Sequence, residues 1–259
     1  MLTVTDIQFQ AWLAALLWPL ARVLGLMMTA PIIDNPGIPM TVKIGLGLLI
    51  TVALVPGLDP LPAVSVGSWE GLAVLVREIV IGVTLGMVMQ VVFGAVDLAG
   101  ELAGTQMGLG FAAQFDPATA SNSLVVTQFL AMLASLVFFA MDGHLMLFAT
   151  LAETFHRVPI GLTGLRPQAW QGLAGLGSDL MHSGLMMALP VAAALVVANM
   201  ALGLLTRAAP QLNIFSIGFP ITLTAGMAVL TLGMPEIIQA FELMWSNGCA
   251  SVLRVAGAL

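Results

Sequence analysis

The chain has 259 residues, 59% of them hydrophobic and 8% charged, with a formal net charge of −6. Soluble domains carry about 25% charged residues, so this composition and a mean hydropathy of +1.05 exclude a water-soluble globule and indicate a polytopic membrane protein. The acids are scattered and no basic patch exists, which leaves no surface suited to nucleic acid.

The first apolar segment is expected at about 7–30. It has no basic stretch before it, Arg22 being the first cation, so a cleaved signal peptide is disfavoured. PIIDNPGIP (31–39) turns the chain into a short second segment at about 40–56, and PGLDPLP (56–62) leads to a long third at about 71–98. A fourth segment is expected at about 124–150, a fifth at about 172–206 and a sixth at about 214–245, separated by VPIGLTGLRP (158–167) and RAAPQLN (207–213). Asp, Glu, Lys and Arg are absent from 79–96, 117–141, 180–206 and 208–235, and three of these exceed the roughly 20 residues needed to span a bilayer. No period-2 alternation suggests a barrel, so an all-α membrane protein of about six helices is expected. The third, fifth and sixth segments are long and expected to be broken, with Pro190 and with Gly226, Gly233 and Pro235 as the breaking residues. Asp142-Gly143-His144 reads as a turn ending the apolar run of the fourth, and Asn213 as a cap for the sixth. Positive-inside counting puts the loops near Lys43 and Arg207 in the cytoplasm, yet leaves Arg157 and Arg166 outside, so the orientation stays open.

Several chemistries are excluded. The single lysine, Lys43, is followed by Ile44, so no Gly-Lys-Ser/Thr step can cradle a nucleotide phosphate. Cys249 is the lone cysteine, which rules out an intramolecular disulfide and a cysteine metal cluster. His144, His156 and His182 lie on different segments without ligand spacing, so neither a metal nor any other cofactor is expected. Nothing in the chain looks catalytic.

Three features remain. Gly82, Gly86 and Gly94, continued by Gly100, Gly104 and Gly108, form a small-residue stripe that suits either packing within the chain or a subunit face. Glu78, Asp97, Glu101 and Glu153 lie within or at the ends of apolar segments, where a central charge costs about 2.5–3.5 kcal/mol on insertion scales. They fit a proton or ion relay, or interfacial and interchain pairing; their places near segment ends favour pairing. Arg77 adjoins Glu78 but is not expected to share its helix face. Finally, 100–123 is a glycine-rich, broken stretch at membrane depth, tolerated only where protein buries it or it borders water. Its Met107, Leu109, Phe111 and Phe115 could form a dewetting constriction or simply pack between helices.

GELAGTQMGLGFAAQFDP (100–117), MDGHLMLF (141–148), ETFHRVPIG (153–161) and APQLNIFSIGFPITLTAG (209–226) resemble the FliR family of flagellar type III export-gate membrane proteins, over essentially the whole chain. The resemblance implies a FliP-like part over about 1–170 and a FliQ-like helical hairpin over about 171–259. It further implies assembly with FliP, FliQ, FlhB and FlhA-type proteins in the bacterial inner membrane, forming a channel for rod, hook and filament subunits, with energy supplied by other components. By the same resemblance, 106–123 maps to a plug, with Gln106, Met107, Gly108, Leu109, Phe111, Phe115, Asp116 and Pro117 in or beside the seal. Arg207, Pro210, Gln211, Leu212 and Asn213 map to the hairpin tip that meets FlhB. Two rivals are the injectisome counterpart of the family and a self-sufficient solute transporter using Glu78, Asp97 or Glu101 as its coupling acid.

Overall fold

The computed structural model describes residues 6–59, 62, 64–110, 124–161, 167–208 and 214–258. Among them are eight α-helices: α1 Asp6–Met27, α2 Met40–Leu54, α3 Trp69–Gln106, α4 Val125–Ala140, α5 Gly143–Arg157, α6 Pro167–Ala208, α7 Ile214–Leu232 and α8 Met234–Ala258. No described residue lies in a strand. Four helices are long and apolar enough to cross a membrane, and six spans result if the pairs α4–α5 and α7–α8 each count as one broken span. The protein is therefore an all-α membrane protein.

Three boundaries differ in detail from the sequence reading. The break expected from Gly100 starts later, because α3 continues to Gln106 and carries Gly100 and Gly104 inside it. The fifth segment is not broken at Pro190: α6 runs through that residue for 42 residues. Proline removes one intrahelical donor, but in membrane helices neighbouring groups re-satisfy the freed carbonyl, so the helix persists. At 1.5 Å per residue α6 is about 63 Å long, roughly twice the hydrocarbon thickness. The fourth segment is two helices, divided where Asp142 adopts φ +55°, a left-handed conformation that a short polar side chain tolerates. The sixth breaks at one of the three expected positions, Gly233, with a 57° bend between α7 and α8; Gly226 lies inside α7, and Pro235 sits in the first turn of α8, where its missing donor costs nothing.

The chain divides into two compact units. The first draws its described residues from Met1–Val91, Asp142–Gly177 and Trp245–Leu259. Lipid offers little hydrophobic drive for helix association, so close packing of small residues must supply it. Gly82 of α3 does so against α1: a Cβ there would fall on the Arg22 carbonyl oxygen. Gly86, a turn further on, lies against Thr29, whose hydroxyl donates back to the Gly25 carbonyl at 2.9 Å. Trp18, Leu26, Met27, Ile81, Leu85, Leu151 and Trp245 are buried in this unit. Its α2 packs on α1 by one face and leaves Leu49 and Val52 exposed on the other.

The second unit draws on Val92–Met141 and Ser178–Met244. Phe93 is its aromatic centre, meeting Phe138 and Phe241 edge-on with centroids 6.0 and 5.5 Å apart. Gly100 and Gly104 of α3 face Thr127 and Leu124 at the start of α4, and Gly184 of α6 faces the Ala95 carbonyl.

Candidate functional site

The end of α3 is built by its glycine. The Met107 amide closes the last helical turn on the Ala103 carbonyl at 3.0 Å. The Gly108 amide then bonds back to the Thr105 carbonyl and the Leu109 amide to the Gly104 carbonyl, each at 3.0 Å. That pair of reversed bonds is the Schellman arrangement, which requires a left-handed residue just past the helix. Gly108 provides it, with φ +86°.

This helix end rests on α7. Met107 is fully buried, and its thioether occupies the space that a side chain at position 226 would otherwise fill. A Cβ on Gly226 would lie 2.6 Å from Met107 Cγ and 3.1 Å from its Sδ. Thr222, one turn earlier on α7, donates its hydroxyl to the Met107 carbonyl at 3.2 Å, sharing the proton with the Phe219 carbonyl at 3.1 Å. Gly108 itself faces the Phe219 ring, while Gln106 and Leu109 are half-buried. The root of the broken stretch is therefore fixed by side chain and backbone together. Phe111, Phe115, Asp116 and Pro117 lie outside the described residues. So do Pro210, Gln211, Leu212 and Asn213, whereas Arg207 is exposed in the last turn of α6.

The four acids have different surroundings. Glu78 is fully buried and pairs with Arg22 of α1, whose Nε donates to Glu78 Oε2 at 2.6 Å. The same guanidinium donates through Nη1 to Thr154 Oγ1 at 3.2 Å and through Nη2 to the Val158 carbonyl at 2.9 Å, and it lies 4.1 Å from the Phe155 ring centre. Arg77 does reach Glu78, contrary to the sequence reading: Nη1 stands 3.7 Å from Oε1, because a long side chain can curl back around its own helix. It also donates to the carbonyls of Pro159 and Gly161. Two cations thus converge on the C-terminal end of α5, where the helix dipole favours positive charge. The arrangement locks α1, α3 and α5 in one register.

Glu153 forms an i,i+4 ion pair with Arg157 at 2.9 Å on a half-exposed face of α5. Asp97 and Glu101 are exposed on successive turns of α3, and neither meets a cation among the described residues. Gly94 is half-buried one turn before Asp97.

Arg22 was missed by sequence reasoning. A lone cation inside the first apolar segment was the available signal, since such a charge needs a partner. Thr222 and Gly226 were missed as well, and no local pattern marks them as the seat of a methionine that lies 115 positions before Thr222.

The sequence profile described as bacterial export proteins, family 1, matches residues 13–248. The chain is 46% identical over 247 residues to the flagellar biosynthetic protein FliR of Escherichia coli (strain K12), covering 95% of this chain and 94% of that protein. Over the same extents it is 44% identical to the FliR of Pectobacterium carotovorum subsp. carotovorum. The FliR of Buchnera aphidicola subsp. Acyrthosiphon pisum (strain APS) is 32% identical over 238 residues, 92% of each chain. With its multi-pass apolar helices and full-length similarity to these relatives, the chain belongs to the FliR family of bacterial export proteins and is a component of the flagellar export apparatus.

Proposed function

We propose that this chain is a non-enzymatic wall segment of the flagellar protein-export channel in the bacterial inner membrane. It assembles there with FliP, FliQ and FlhB, next to FlhA-type proteins, and unfolded rod, hook and filament subunits pass through the assembly. Its first part, about 1–170, acts as a FliP-like element and its remainder as a FliQ-like hairpin, whose tip around Arg207–Asn213 meets FlhB. The loop 106–123 obstructs the conduit at rest and moves aside for substrate.

The observation that carries this reading is the exposed pair Asp97 and Glu101 within a 38-residue apolar helix. Carboxylates are too costly to leave facing hydrocarbon. That face of α3 therefore needs a companion chain or water, which suits a segment of a larger wall better than a solitary bundle. Glu78, by contrast, is committed to Arg22.

Two measurements test the reading. Deleting 106–123 in cells that express the complete export complex should raise resting ion leakage; unchanged conductance would remove the plug role. Purified in detergent, the chain should be recovered intact only with its partners. A stable monomer that catalyses solute uptake would defeat the channel-wall reading.

A further inference from the structure

We infer that the groove between α6 and α8 in the second unit receives an apolar helix of a companion subunit, with a cationic side chain of that helix set against Glu236. The inference rests on the channel-wall reading and assigns one contact surface within it. The groove has a volume of about 730 Å³ and is bordered by the bend at Gly233. One wall is a row on α6, His182, Met186 and Pro190; the other is a row on α8, Glu236, Ala240 and Met244. Both rows repeat at i, i+4 and i+8, the ridge spacing by which one helix seats another. At 1.5 Å per residue each row is about 12 Å long, more than two helical turns. Ala240 is the low point of its row, and a small residue there admits a close backbone approach.

The polar groups of the groove decide between a helix and a lipid chain. Glu236 is exposed there and pairs with no cation among the described residues. It sits in the first turn of α8, where the helix dipole favours an acid, yet the dipole gives no cover to a carboxylate facing hydrocarbon. Pro190 lacks the N–H that the Met186 carbonyl would accept one turn back, and both residues line the groove, so a donor brought into it can replace that bond. An acyl chain would match Met186 and Met244 and supply no donor to either group. A helix can cover the apolar rim with one face, including Leu232, which is 79% exposed. The same helix can bring a lysine or arginine to Glu236 on a long apolar stem.

The experiment uses the complete export complex in cells, with a benzophenone-bearing amino acid in place of Leu232 on the groove rim. Irradiation should join the chain to another subunit of the complex, at an apolar helical peptide that carries Lys or Arg within one turn of the joined residue. Ala240→Trp, which fills the groove, should lower the adduct yield several-fold at equal abundance of the chain. Glu236→Lys, which reverses the charge at an exposed position, should do the same and serves if Ala240→Trp prevents folding. A lipid adduct, an adduct with a second copy of this chain, no adduct, a joined peptide without Lys or Arg, or a yield that neither variant lowers overturns the groove assignment and leaves the channel-wall reading standing. A chain recovered intact without FliP or FliQ removes the wall reading itself, and the groove assignment falls with it.

Discussion

Arg22 and Glu78 are the most consequential single residues in the first unit, since each lies at zero exposure and each is neutralised chiefly by the other. Removing one member of such a pair strands the other charge, at a cost of about 3–5 kcal/mol, whereas replacing both with apolar groups of similar size is often neutral. Glu78→Leu and Arg22→Met should therefore each lower the thermal unfolding temperature of the purified complex sharply. The double variant should recover most of the loss, less what Arg22 contributes through the Thr154 hydroxyl and the Val158 carbonyl. If the double variant is as unstable as the worse single one, the cluster acts through those other bonds and not through charge pairing. Composition identified Glu78 as an acid needing compensation, but could not identify its partner 56 positions away.

At the scale of elements, the close approach of α1 and α3 turns on glycine. A methyl at Gly82 would meet the Arg22 carbonyl, whereas one at Gly45 of α2 would meet nothing within 4 Å. Gly82→Ala should thus be destabilising because two backbones must separate. Gly45→Ala should be neutral or stabilising by up to about 1 kcal/mol, the helix-propensity difference. Thermal unfolding of the two variants in the same complex compares them directly, and equal effects would show that α1 and α3 are not in tight contact. The helices themselves were legible from apolar runs and turn residues, and so was the bend at Gly233. The end of α3 was harder to read. Gly100, Gly104 and Gly108 look alike in sequence, yet two lie inside a helix that neighbours hold in place and one terminates it. Proline posed the same difficulty: Pro190 looks like a break, yet α6 runs through it, because the carbonyl freed in a membrane helix can be satisfied by groups the local sequence does not identify.

For the whole molecule, the telling feature is how much apolar and acidic surface lies uncovered. The membrane-compatible stretch of α6, Met181–Leu204, is 22% buried within this chain, and that of α2 is 17% buried, so both helices need lipid or protein against most of their surface. Lipid can serve that apolar surface, but it cannot serve Asp97 and Glu101. An Asp97→Cys variant, in a chain whose native Cys249 is buried, distinguishes the two solvents that remain. A membrane-impermeant maleimide should label it when the chain is expressed alone, and labelling should drop when FliP and FliQ are co-expressed. Undiminished labelling would place this face on open water and remove it from any subunit contact.

The amino-acid order alone determined the solvent, the class of fold, the positions of most turns and the family. All of these depend on composition and on neighbours a few positions apart, through helix hydrogen bonds, turn conformations and transfer from water to lipid. Tertiary structure alone decided that Arg22 neutralises Glu78, that Arg77 curls back towards it, and that Met107 is seated on α7. The first and last of these depend on groups brought together across 56 and 115 positions of chain, and the second on a side-chain conformation set by that same packing, so none leaves a local trace in the sequence.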